Sequence, residues 1–88
     1  MLFEPGQILA TPGALGLATE YCVNLADLLI RHLRGDWGDV DAYDTQENDL
    51  AVFEGYRIIS VYPTLGGRFW VITEADRSAT TILLPTEY

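Results

Sequence analysis

Lysine is absent from this chain of 88 residues, and histidine, methionine and cysteine occur once each. Five arginines face thirteen carboxylates, for a net charge of −8. A chain this poor in bases has no basic stripe, so direct binding of DNA, RNA or an anionic membrane surface is not expected. A single thiol, Cys22, cannot close an internal disulfide. No Cys-x-x-Cys pair or Cys/His cluster offers a metal site, and no cofactor is expected. That cysteine usage fits a reducing compartment, and a cytoplasmic location is expected. No apolar run approaches the roughly 18 residues of a membrane span. Met1-Leu2-Phe3-Glu4-Pro5 has neither a basic n-region nor a long apolar core, so no secretory leader is expected. There is no repeat, and no glycine-rich phosphate loop. Thr64-Leu65-Gly66-Gly67 is too short and does not open a helix.

What the chain does have is a one-sided charge run. Asp36, Asp39, Asp41, Asp44, Glu47, Asp49 and Glu54 follow one another with no base between them; Arg34 and Arg57 are the nearest. Such a field attracts cationic surfaces. The rest of the composition is core-forming. Apolar residues make up 49% of the chain, which excludes disorder of the low-hydrophobicity type. The length allows one small domain, residues 1–88, with a thin stability margin.

Gln7 to Ala10 reads as a short strand. Thr11 and Pro12 start a helix, by hydroxyl capping and by a proline at the first helical position. Gly13 and Gly16 limit it to about Ala18, and Glu20 to Val23 reads as a connection. Asn24 caps a second helix, with Leu25, Leu28, Leu29, His32 and Leu33 on one stripe and Gly35 at its end. Gly35-Asp36-Trp37-Gly38-Asp39 is a tight loop that holds Trp37 partly buried. A third helix is expected from about Val40 to Glu54. Val40, Tyr43, Leu50, Ala51 and Glu54 fall on one side, Asp41, Asp44 and Asn48 on the other, and Gly55 ends it. Tyr56–Tyr62, Arg68–Thr73 and Thr80–Leu84 alternate as strands. The first two are joined by a hairpin turn at Thr64–Gly67 and the last two by Glu74–Ser78; Pro63 and Pro85 act as stops. The fold class is therefore α+β: a short N-terminal strand, three helices and a three-stranded antiparallel meander in a two-layer sandwich.

In that arrangement Ile59, Val61, Phe69 and Val71 are expected on one sheet face, and Ile58, Tyr62, Trp70 and Ile72 on the other. One helical layer covers one face. A homodimer through Tyr62, Trp70 and Ile72, or through an edge strand, is expected unless Met1 to Ile8 covers the free face.

Four groups of side chains are chemical candidates. On a helix, carboxylates three or four residues apart stand roughly 5–6 Å from each other, a spacing able to imitate a phosphate backbone. Asp36-x-x-Asp39-x-Asp41-x-x-Asp44 lacks the glycine and terminal glutamate of a calcium loop, so a metal site is not expected. Cys22 and His32 carry no signature of a catalytic pair, and an exposed crowd of like acids does not separate a general acid from a base. Glu74, Asp76 and Arg77 form a possible secondary site. Arg77 either presents its guanidinium to an anion or pairs internally with Glu74 or a third-helix acid while Asp76 caps the turn.

Ala10-Thr11-Pro12-Gly13-Ala14, Gly35-Asp36-Trp37-Gly38-Asp39, Gln46-Glu47-Asn48 and the stretch from Trp70 to Pro85 resemble a family of small bacterial proteins carried on plasmids and phages. Its members are labelled plasmid-related or type I restriction endonuclease subunit M. The resemblance covers nearly the whole chain and departs around Glu20 to Val23. It implies no catalytic residues, and 88 residues cannot hold the methyltransferase domain of an M subunit. It implies a mobile-element setting, where small acidic proteins include DNA-mimicking inhibitors of restriction and CRISPR systems. The first expectation is a non-enzymatic interaction protein. Asp36, Asp39, Asp41, Asp44 and Glu47 would meet a basic surface of a nuclease or defence complex, with Trp37 as aromatic anchor. The alternative is a small-ligand or peptide module with a pocket between Trp37 and the Asp76-Arg77 turn.

Overall fold

Thr11 Oγ1 accepts the N–H of Ala14 at 3.1 Å, and Pro12 fills the first turn, so helix α1 starts where its capping chemistry requires (Pro12–Tyr21). In this computed structural model, which describes residues 1–88, α1 runs past Ala18 and takes in Glu20 and Tyr21. Packing outweighs the glycine propensity cost: Ala14 and Ala18 are buried, and their small side chains bring the helix close to the sheet. Cys22, in the left-handed conformation, ends it. Asn24 Oδ1 caps α2 (Leu25–Leu33) by accepting the Ala26 N–H. The Asp41 carboxylate accepts the Asp44 N–H at 2.8 Å and makes Asp41 the cap of α3 (Ala42–Glu54), so Val40 lies outside the helix. Gly55, at φ 75°, closes α3 in a conformation that costs other residues strain.

The sheet corrects the meander. Strands β1 (Gln7–Ala10), β2 (Ile58–Thr64), β3 (Gly67–Thr73) and β4 (Ala79–Leu83) form one mixed sheet in the order β1-β4-β3-β2, with β1 parallel to β4. The parallel pairing is invisible in local pattern because β1 and β4 are separated by most of the chain. Strand β2 starts at Ile58, not Tyr56, and runs through Pro63 to Thr64. Proline is tolerated there because its missing N–H lies on the outer side of an edge strand.

The hairpin leaves two residues, Leu65 and Gly66, between paired Thr64 and Gly67. That loop length sets Tyr62 opposite Phe69, Ser60 opposite Val71 and Ile58 opposite Thr73. The expected face assignment was therefore mixed. Ile58, Ser60 and Tyr62 belong with Phe69, Val71 and Thr73, whereas Ile59 and Val61 belong with Ile72 and Trp70. The first set faces the helices. Ala14, Ala18 and Leu28 pack on Tyr62, Phe69, Val71 and Ile82; Phe3, Leu33, Trp37, Ala51 and Ile58 form a second cluster. The N-terminal segment thus lies on the helical side. The other face is met by the C-terminus, where Tyr88 packs on Trp70 at 5.2 Å between ring centroids and accepts a hydrogen bond from Arg57. Tyr62 is fully buried, so it offers nothing to a dimer.

The outer edge of β2 is closed by three devices. The Asn48 amide donates to the Ile59 carbonyl at 2.8 Å and accepts the Ile59 N–H at 3.2 Å. The loop at Gly38 forms a parallel bridge to Val61: Val61 N–H donates to Trp37 O, and Asp39 N–H donates to Val61 O. Pro63 has no N–H to offer. Only glycine fits at position 38, where φ is 77° and a Cβ would lie 2.0 Å from Val61 O. An Asn48→Ala variant strips both Ile59 groups of their partner. Urea unfolding is expected to show a loss of about 1–3 kcal/mol.

Candidate functional site

The rotation of α3 decides which of its residues face the sheet and which face solvent. Asn48 is held at the edge of β2, and Ala51, 1% exposed, packs into the second cluster. These two fix the inward side. Tyr43, Gln46, Leu50 and Phe53, at spacings of three, four and three, then line the outward side. Tyr43 is 68% exposed, Leu50 46% and Phe53 87%. This reverses the expected orientation, in which Tyr43 and Leu50 shared the inner side with Ala51 and Asn48 faced out. Glu47 and Glu54 flank the outward apolar line on one side and Asp49 on the other, all exposed. The arrangement is an apolar centre inside an acidic rim.

The acids expected to form one surface divide by partner. Asp36 Oδ2 meets Arg31 Nε at 2.7 Å, and Asp39 Oδ2 meets Arg68 at 2.8 Å. Bases from α2 and β3 thus compensate two of the seven carboxylates. The hydrogen bond from Arg31 holds the Asp36 carboxyl below its ordinary range, and the Gly38 N–H adds to it. Arg31 also lies over the Tyr62 ring, whose hydroxyl donates to Asp36 O at 2.6 Å. Asp41 is engaged as a helix cap. Asp49 accepts the indole N–H of Trp37 at 3.0 Å. Asp44 and Glu47 stand exposed near the N-terminal end of α3, with Glu54 at its far end.

Trp37 is 4% exposed. Its indole stacks on Phe3 at 6.3 Å and meets the edge of His32 at 5.9 Å. It is a core residue more deeply buried than expected, and its ring presents no surface to a partner. The space toward the Asp76-Arg77 turn holds the Phe3 ring, over which Arg77 also lies at 5.5 Å. No pocket opens there.

At the secondary position Asp76 Oδ1 caps the turn by accepting the Ser78 N–H, and hydrogen bonds from Ser78 lower its pKa. Arg77 pairs with no carboxylate. Its guanidinium donates to the carbonyls of Tyr56 (2.7 Å), Ala51 (2.8 Å), Glu74 (3.1 Å) and Ala75 (3.4 Å). It thereby satisfies the C-terminal end of α3, where a cation also complements the helix dipole. Glu74 lends its main-chain carbonyl to this cluster.

His32, read as a helix-end imidazole touching the core, is instead the centre of a buried polar chain. Nδ1 lies 2.6 Å from Ser60 Oγ, and Nε2 lies 2.8 Å from Thr73 Oγ1. Thr73 Oγ1 is 2.7 Å from Thr80 Oγ1, which donates to Pro5 O at 2.7 Å. The carbonyl at the end orders the protons as far as the ring. Thr80 donates to Pro5, so Thr73 donates to Thr80 and Nε2–H donates to Thr73; in the neutral imidazole Ser60 donates to Nδ1. Burial, with Arg77 nearby, pushes the His32 pKa down to about 4. A hydroxyl on an imidazole is the starting geometry of nucleophilic catalysis, but Ser60 and His32 are both sealed from solvent. The signal in the sequence was parity: Ser60, Thr73 and Thr80 fall on the helix-facing side of three adjacent strands.

No single helix is long and apolar enough to cross a membrane, and α1 and α2 meet at a bend of 113°. Comparison with protein-family models, with curated proteins and with solved structures finds no match to this chain.

Proposed function

We propose that this chain is a non-enzymatic acidic interaction protein that docks through the outward side of α3 onto a basic surface of a nucleic-acid-handling protein. One observation carries the reading. Phe53 stands 87% exposed on the same side of α3 as Leu50 and Tyr43, within a rim of Glu47, Asp49 and Glu54. Interface energy concentrates in aromatic anchors at the centre of a patch, and charged rims steer the encounter. An isolated exposed leucine is ordinary; an aromatic and aliphatic line on a helix with no base on it is a docking geometry. Glu47, and Asp41 at the helix cap, extend the charge toward the helix N-terminus; Asp44, four residues before Asn48, lies on the other side of the helix. Asp36 and Asp39 contribute less, because Arg31 and Arg68 already pair with them. A partner with an apolar groove rimmed by arginine or lysine fits this face. The resemblance to plasmid- and phage-borne proteins supports a cytoplasmic setting in which that partner is a nuclease or defence complex and the protein its inhibitor.

Alanine at Phe53 or Tyr43 separates docking from folding. Both positions point outward, so melting and urea unfolding are expected to stay within about 0.5 kcal/mol of the parent. Binding, measured by calorimetric titration of the partner recovered with the parent protein, is expected to weaken roughly thirtyfold or more at Phe53. Affinity is also expected to fall as salt rises. A Phe53→Ala protein that binds as the parent does overturns the assignment of this face.

A further inference from the structure

We infer that β1 is a dimerisation edge, where a second copy of this chain continues the sheet. The two edges of the sheet are built differently. At β2 the outward main-chain groups are taken by Asn48 and by the Trp37–Asp39 loop, with Pro63 beyond them. At β1 nothing equivalent is present. Gln7 N–H donates to Ser78 O and Thr11 N–H donates to Ile82 O, which fixes the parity of the ladder. Gln7, Leu9 and Thr11 turn their main-chain groups toward β4. Ile8 and Ala10 turn theirs to the open edge. An open edge of this kind is a template for another strand.

Three observations select a second copy as the occupant. The first is register. Antiparallel pairing centred on Leu9 sets Ile8 opposite Ala10 of the second copy and Ala10 opposite its Ile8. Both are hydrogen-bonded pairs, so every outward group of the strand finds a partner. Leu9 then lies against Leu9 of the second copy, side chain to side chain on one face, and bulky Ile8 lies beside small Ala10 on the other. The edge is complementary to itself, as a two-fold interface requires.

The second observation is charge. From Pro5 to Thr19, covering β1 and most of α1, no side chain ionises. A chain of net charge −8 repels its own copy least along this segment, where the carboxylate held against it is Glu87, hydrogen-bonded to Thr11 Oγ1 and Gly13 N–H just beyond β1. The acidic α3 packs on β2, at the opposite edge of the sheet, so pairing at β1 sends the two acidic helices to the two ends of the assembly. The third observation is exposure. Ile8 is 51% exposed, Leu9 40% and, on the neighbouring helix, Leu15 52%. The resulting order is β2-β3-β4-β1 followed by its two-fold copy, with one α3 docking face at each end.

Sedimentation equilibrium of the full chain over a wide concentration range tests this. The parent is expected to move from 9.8 kDa toward about twice that mass as concentration rises. Leu9→Arg places like charges across the two-fold axis. Ile8→Pro removes one outward N–H without touching a bond to β4. Each is expected to keep the monomer fold by circular dichroism and to weaken dimerisation roughly tenfold or more. Phe53→Ala is expected to leave it unchanged, which separates this edge from the docking face of α3. A parent at 9.8 kDa at every concentration overturns the inference. So does a dimer that survives intact in both Leu9→Arg and Ile8→Pro.

Discussion

Replacing Trp37 by alanine is expected to remove about 3–5 kcal/mol of stability. A domain of this size holds in total only about 4–13 kcal/mol, at roughly 0.05–0.15 kcal/mol per residue, so the variant stands near the edge of unfolding. The loss has three sources. The indole leaves a cavity among Phe3, Leu33, Ala51 and Ile58, the hydrophobic members of its cluster. Its contact with the His32 ring disappears. Its N–H no longer ties the loop to Asp49 on α3. Trp37→Phe keeps an aromatic ring in place and loses the hydrogen bond, and is expected to cost less, about 1–2 kcal/mol beyond the change in packing. Urea unfolding read by circular dichroism checks both. A Trp37→Ala protein as stable as the parent contradicts the core role.

Stability is expected to fall by about 3 kcal/mol as pH drops from 6.5 to 4, because His32 is buried neutral. Its ordinary pKa of 6.5 is lowered to about 4 in the folded chain. The unfolded chain therefore takes up the proton first. The stabilisation is complete above pH 6.5 and lost progressively as pH falls toward 4, below which the folded state also protonates. Burial and the nearby Arg77 resist protonation. A second proton on the ring must sit on Nδ1, which turns Ser60 from donor to acceptor and leaves a buried cation with no carboxylate paired to it. Asp36, Asp76 and Glu87, whose carboxyl pKa values are lowered by hydrogen bonds from Arg31, Ser78 and Thr11, begin to lose their contribution as pH falls through the ordinary carboxylate range and add to the loss at the acid end. Guanidinium or urea midpoints measured between pH 7 and 4 check the slope. Nitrogen shifts of the imidazole check the tautomer, with Nε2 expected as the protonated atom. A flat profile across that window, or protonation at Nδ1, contradicts the assigned network.

Local chemistry written in a few residues was legible before any coordinates. Thr11-Pro12 and Asn24 mark helix starts through capping groups, and Gly55 marks a stop through its positive φ, whereas Asp41, expected inside a helix from Val40, is itself the cap of α3. The α2 stripe follows from its period. What was not legible depends on pairing between distant segments. Strand β1 finds β4 only after three helices have been placed, and the relative faces of β2 and β3 depend on whether the hairpin turn spends an even or an odd number of residues. The rotation of α3 is the costliest case for function. Its apolar residues lie all around the helix, so period alone put Tyr43 and Leu50 inside. Asn48 decides otherwise, because an amide that satisfies both main-chain groups of Ile59 outweighs the burial of one more leucine. The same rotation moves the aromatic centre of the proposed interface from Trp37, which the core consumes, to Phe53 and Tyr43. The acidic run is read directly from the sequence, but the loop that brings Asp36 and Asp39 to Arg31 and Arg68 is a tertiary fact.

The outward side of α3 is tested most directly by placing a photo-crosslinking amino acid at position 53 and irradiating cells of the source organism. Position 65, where Leu65 is fully exposed on the β2–β3 hairpin, serves as the control. The expected result is one dominant adduct from position 53, to a protein with a basic surface, with none from position 65. That adduct is expected to disappear when Glu47 and Glu54 are changed together to glutamine. Adducts of equal yield from both positions, or an adduct indifferent to those two charges, contradict docking through this face.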